Sequence, residues 1–274
     1  MTKLQEITSR RELFVNLTLR ELRGKYKRSV LGWAWSLLNP LTTMLVYSIV
    51  FTLLGAVPET GDPSGLRSFA FFLMCGLIPY NFISNGLNGG LMSLLGNGNL
   101  VKKTYFPREI LVAASTSAAL VQYLIELGLL VVALLFVGNV VLPWIPVILL
   151  LVVFQTLFVL GISLVLSAAA VYFRDLQHLM GLVLQVWFFS APIVYSRDLV
   201  DQNLRDGSFS SRLFDLNFAI NPLVRFVSAY RSLFYDLRWP ATADLVYIAV
   251  VSLLTLAVGF WAFGRLEGRL AEEL

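Results

Sequence analysis

Glu126 is the one acid well inside an uncharged stretch, and Gln122 stands four residues earlier on the same helical face. A carboxylate in an apolar segment is costly to bury. It is therefore either a neutral acid satisfied by Gln122 or Tyr123, or a working group on a transport path. Other reactive residues are few. His178 is the one histidine and Cys75 the one cysteine. Cys75 lies in an apolar run and reads as a small core residue, and a single cysteine makes no internal disulfide. His178 reads as a boundary residue. No H-E-x-x-H or G-x-S-x-G occurs. The only Gly-Lys pair, Gly24-Lys25, is followed by Tyr26, so there is no phosphate-cradling loop. No carboxylate cluster or zinc spacing marks a metal site. The expectation is a chain with no catalytic residues, no metal and no covalent chemistry of its own.

The remaining distinctive residues form a short charged island, NLVKKTYFPRE, over Asn99 to Glu109. Nothing is charged from Ser68 to Val101 before it, or from Ile110 to Ile125 after it. Such an island between two apolar runs is a tight loop at a bilayer surface. The chain has 274 residues, 57% hydrophobic and 14% charged, well below the roughly 25% charged of a soluble domain. A helix needs about 20 apolar residues to cross the hydrocarbon core. Charges bracket several such runs, and the longest, 47 uncharged residues between Glu126 and Arg174, breaks at Gly138-Asn139 and Pro143-Trp144-Ile145-Pro146. The expected fold is an all-α integral membrane protein forming one transmembrane domain over 1–274. Six spans are expected, at 33–57, 68–95, 110–137, 145–172, 178–195 and 245–264, with a loop at 98–109.

No secretory signal peptide is expected, because the first 28 residues are polar and hold eight Lys or Arg. The net charge of +4 does not point to nucleic acid, because of where the charges sit. With both termini inside, 14 basic residues face the cytoplasm and seven face out, in line with the positive-inside rule. Residues 9–28 read as a helix lying on the membrane. Leu13, Phe14 and Leu17 share its apolar face, while Val15, Leu19 and Leu22 fall elsewhere. The second span is rich in Gly and Asn, which suits close helix packing or a wet path shared with a second copy. The 196–244 segment is apolar with scattered Arg, and reads as short helices dipping into the outer leaflet or capping a pore.

In order, these features are a basic surface helix, SVLGWAWSLLNP, a Gly/Asn-rich second span, NLVKKTYFPRE, YFRDLQH and a late NPL. Together they resemble the permease subunit of type-2 ABC exporters in the polysaccharide branch (O-antigen, teichoic acid, galactan). The resemblance covers essentially the whole chain. It implies a homodimer carrying two copies of a separate ATPase subunit, which binds the ATP and Mg; this chain would bind no cofactor. It implies a bacterial cytoplasmic-membrane location, surrounding membrane lipid, no nucleic-acid partner, and export of a glycan on a polyprenyl diphosphate carrier. The island maps onto the family's coupling helix and the FRD turn onto Phe173, Arg174 and Asp175. The basic segment at 9–28 maps onto the interface helix, and 196–244 onto extracellular re-entrant helices.

Within that resemblance, Lys102, Lys103 and Arg108 offer charge to the ATPase. Tyr105 and Phe106 offer an apolar anchor, Pro107 stiffens the turn, and Arg174 and Asp175 lie nearby. Sugars want stacking faces and hydrogen-bond partners, which makes Trp35, Asn39, Tyr47, Gln185, Trp187 and Phe188 the expected pathway residues. Arg20, Arg23, Lys25, Lys27 and Arg28 are available to a lipid diphosphate. Three alternatives stand beside this reading: a permease for a drug or small lipid, a membrane-embedded glycosyl or lipid transferase, and a structural scaffold. The transferase would need acidic pairs at the interface, which the inner loops lack.

Overall fold

Proline and amide chemistry sets many of the helix ends. The computed structural model describes residues 11–26, 34–53, 61–103, 106–196 and 209–267, and the regular elements among them are all helical. In chain order they are α1 Arg11–Tyr26, α2 Ala34–Leu53, α3 Phe69–Leu95, α4 Gly98–Lys103, α5 Glu109–Phe136, α6 Ile145–Tyr172, α7 Leu176–Ser190, α8 Phe209–Ile220, α9 Pro222–Arg231 and α10 Thr242–Leu266. A 3-10 turn, Leu142–Trp144, leads into α6, and a π turn, Ser232–Asp236, follows α9. Pro146 sits in the first turn of α6 and Pro222 begins α9, places where a missing N–H costs nothing. Asn221 caps α9 by accepting from the Leu223 N–H at 3.0 Å.

Four stretches are long and apolar enough to cross a membrane: Phe69–Leu95, Glu109–Phe136, Leu142–Tyr172 and Thr242–Leu266. The 20-residue α2 and the 15-residue α7 are the shorter apolar helices. α7 stops at Ser190, five residues before the expected 195. The cause is Pro192, which forces Ala191 into the extended region with ψ 149°. At 1.5 Å per residue α7 is about 22 Å long, short of a hydrocarbon core about 30 Å thick.

α3 lies at the centre and packs on α2, α5, α6 and α9, while α6 makes its most extensive contact with α10. Lipid supplies little hydrophobic drive between helices, so close backbone approach and hydrogen bonds hold such bundles. Gly161 of α6 and Gly259 of α10 meet backbone to backbone; a Cβ on Gly161 would collide with the Thr255 and Leu256 main chain. On α3, Gly86 and Gly90 face Val159 and Ser163 of α6. Asn85 and Asn88 are exposed on another side of α3. The glycines thus serve close packing within the chain, while two of the asparagines face away from that contact.

Gln155 of α6 is fully buried and ties four helices together. Its amide donates to the Pro79 carbonyl at 2.9 Å, and its oxygen accepts from the Tyr123 and Tyr230 hydroxyls, each at 2.9 Å. Tyr123 also stacks on Phe82 with ring centroids 4.5 Å apart.

Candidate functional site

At one end of the bundle the island closes on itself. Leu17, Leu94, Val101, Phe106, Ile110 and Val171 share one buried cluster, with Tyr172 packed against it. Phe106 is only 5% exposed. Its ring packs against α1 and α5 within the same chain rather than standing out as an apolar anchor. A short loop that ends in proline turns the ring inward, where burial outweighs display. Arg108 donates to the Glu267 carbonyl at the end of α10, so the island also grips the last helix. Glu109 is buried in the first turn of α5, where an acid complements the helix N-terminus. Lys102 and Lys103 remain exposed, and Pro107 is half-buried. Tyr105 lies outside the described residues. Arg174 and Asp175 are exposed just beyond the same cluster, next to Phe173, which is 65% exposed. Among the described residues, Phe173 is an aromatic that this turn offers outward.

α1 packs along α5 at this end. Leu17 and Leu22 are buried, Leu13 and Phe14 are half-buried, and Val15 and Leu19 stay exposed. Leu22, which the helical periodicity put off the apolar face, is thus part of the packed face. Arg20 donates to Asn97, which precedes α4, and pairs with Glu21 at 2.9 Å. Arg23 is exposed. The Lys25 side chain, Lys27 and Arg28 lie outside the described residues.

A groove of about 420 Å³ opens between α2, α3 and α7. It brings together three expected pathway residues, Tyr47, Gln185 and Phe188, with Asn88 of the amide-rich span and two residues that the sequence reading missed, Tyr80 and Ser84. Phe188 stands edge-on to Tyr80 at 5.0 Å and tilts toward Tyr47 at 6.5 Å. The Tyr80 hydroxyl donates to the Leu184 carbonyl at 2.9 Å, fixing α7 against α3. The signal for the missed residues was available: Tyr80, Ser84 and Asn88 fall at helical spacing in the amide-rich span. Trp187 does not join the groove. It packs toward Phe158, and its indole N–H donates to Asn221 at 2.7 Å, tying α7 to the start of α9. Trp35 is 47% exposed on α2, and the Asn39 side chain lies outside the described residues.

Glu126 is buried and accepts from the Gln122 amide at 2.9 Å. This is the partner that the i, i+4 spacing names.

The groove sets hydroxyls, amides and ring faces side by side along the middle of α3, a helix long and apolar enough to cross a membrane. Water or a polar ligand satisfies such a surface, and lipid tails do not. Residues 12–235 match the ABC-2 type transporter family. The chain is 30% identical over 277 residues to an O-antigen export system permease of Myxococcus xanthus, covering 99% of this chain and 98% of that protein. It is 28% identical over 267 residues to an O-antigen export system permease of Klebsiella pneumoniae, covering 96% and 95% of the two chains. A polysialic acid transport protein of Escherichia coli is 24% identical over 256 residues, with 89% of each chain covered. With the family match running through most of its length, and a bundle of long apolar helices carrying it, the chain belongs to the ABC-2 type transporter family as a membrane-spanning component.

Proposed function

We propose that this chain is the permease subunit of an ATP-driven polysaccharide exporter in the bacterial cytoplasmic membrane. Its groove forms half of the glycan path and a second copy of the chain forms the other half. The observation that carries this is the polar, aromatic groove along the middle of α3 in a chain similar to O-antigen export permeases and a polysialic acid transport protein. Six segments cross the membrane, α7 completing its crossing with residues 191–196 that follow it, and both termini face the cytoplasm. The island end with Lys102 and Lys103 then lies inside and the α9 end outside. Two copies of a separate ATPase dock on the exposed lysines and on the Phe173–Asp175 turn, and hold the ATP and Mg. The cargo is a glycan on a polyprenyl diphosphate, moved from the cytoplasm to the outer face. Arg23 and its basic neighbours meet the diphosphate, while Arg20 is engaged with Asn97. The groove sets hydroxyls and amides beside its ring faces, so a hydroxyl-rich cargo finds more partners there than an apolar drug or small lipid would.

The test is export of a lipid-linked glycan by cells carrying the permease and its ATPase. Ser84→Trp and Asn88→Trp obstruct the groove and should reduce surface glycan to background while the protein still inserts. Undiminished export from both variants would remove the groove from the path.

A further inference from the structure

A second cavity, of about 310 Å³, lies at the α9 end, on the outer face in the orientation proposed above. Three arginines and three aspartates line it: Arg225, Arg231, Arg238, Asp62, Asp236 and Asp244. We propose that this cavity is a saccharide-binding subsite that takes one neutral sugar residue of the exported glycan. The proposal rests on the exporter reading for the source of that sugar, and on the cavity alone for its chemistry.

The formal charges of the six residues cancel. A phosphate or carboxylate entering would meet three aspartates, and a cation would meet three guanidinium groups. A neutral polyol suits alternating forks of donors and acceptors, because each hydroxyl both donates and accepts. The walls are fixed before any ligand arrives. Arg225 pairs with Asp244 at 2.5 Å and Arg238 with Asp236 at 3.1 Å. Arg231 donates to the Ile193 carbonyl at 2.7 Å and lies over the Phe72 ring at 3.5 Å. Side chains held this way lose little freedom on binding. The Arg225 Nε–H is buried with no acceptor among the described residues. Native proteins seldom leave such a donor unmatched, and a ligand hydroxyl would complete it.

The backbone supplies an independent sign. Ser232, Tyr235 and Asp236 reach the cavity from the π turn, a rare element found often at functional sites. Leu237 follows it in the left-handed region at φ 60°, an uncommon place for a leucine. This bend sets Asp236 and Arg238 side by side on one wall. A turn that only joined α9 to α10 would need neither irregularity, and apolar side chains would hold it at least as well as paired charges.

Saturation-transfer NMR on the full permease–ATPase complex in nanodiscs tests the proposal, with methyl glucoside, galactoside and mannoside as probes. At least one should bind saturably in the millimolar range. Ser228→Trp fills the cavity from an exposed position on α9, and Arg238→Gln removes one fork. Each should weaken that binding about tenfold, near 1.4 kcal/mol, with an unchanged elution profile. Equal saturation in wild type and Ser228→Trp, or no saturation by any of the three glycosides, would overturn the subsite. Displacement of a glycoside by sulfate would overturn it too, in favour of an anion site. Asn88→Trp separates the two readings: it should stop export and leave glycoside binding here intact. Export lost in Asn88→Trp with no glycoside bound to the wild type would sink the subsite alone. Export surviving both groove variants, with glycoside still bound here, would sink the groove alone.

Discussion

Gln155 holds more of the fold than its chemistry alone suggests. One amide oxygen receives two tyrosine hydroxyls and the amide N–H reaches a third helix, so α3, α5, α6 and α9 meet at one side chain. Gln155→Leu should strand all three partners. At about 0.6–2 kcal/mol per interhelical bond in a membrane, the loss is roughly 2–6 kcal/mol, visible as a lower melting temperature in detergent. Tyr230→Phe removes one bond and should cost proportionally less; an unchanged melting temperature in both variants would deny the hub its role. Asp236 behaves differently. Burial pushes its carboxyl above the usual range despite the opposing pull of Arg238 and Arg231, and Asp62 adds to the rise. A raised folded pKa means that the fold disfavours the carboxylate, so stability falls as pH rises through that value. Asp236→Asn should therefore melt higher than wild type at pH 7, with the gain shrinking as pH falls into the carboxylate range. A constant gain at every pH would contradict this assignment.

Among the elements, the island shows where reading from sequence succeeds and where it stops. Its flanking charge-free runs and its Pro107 are visible in the chain, and α4 ends there at Lys103. The direction of one ring is not visible. Phe106 looks like a surface anchor among charges, and only the packing of α1 across α5 supplies the cluster that buries it. Phe106→Ala should thus destabilise the fold by about 3–5 kcal/mol, measured by thermal unfolding. Lys102→Glu with Lys103→Glu should leave stability alone and reduce glycan-stimulated ATP hydrolysis in the complex. If the lysine pair instead lowered the melting temperature and spared hydrolysis, the docking face would lie elsewhere. The helix limits follow local signals: Pro146 and Pro222 start helices, and Pro192 cuts α7 short. Gln155 escaped notice because a lone glutamine in 47 uncharged residues looks like any other polar interruption. The groove is partly legible: Tyr47, Gln185 and Phe188 are expected there and Asn88 belongs to the amide-rich span, whereas Tyr80 and Ser84 carry no signal apart from their spacing from Asn88.

At the scale of the whole molecule, the helices divide by how tightly they meet. α3, α5, α6 and α9 share the Gln155 hub, and α10 joins α6 along the glycine contact, whereas α7 touches α3 and α6 only lightly. Cysteines at Tyr47 and Phe188, in a Cys75→Ser background, would allow α2 to be crosslinked to α7 across the groove. Crosslinking should stop export and reduction should restore it, which separates immobilisation from the effect of the substitutions themselves. Export that continued while crosslinked would mean that the path opens elsewhere. Gly161 and Gly259 touch with no side chain between them. A seam made of main chain alone has no rotamer to turn and no cushion to compress. If an ATPase drives the bundle as proposed, α6 and α10 transmit its stroke as a single beam, and the looser staves beside them are the ones that part.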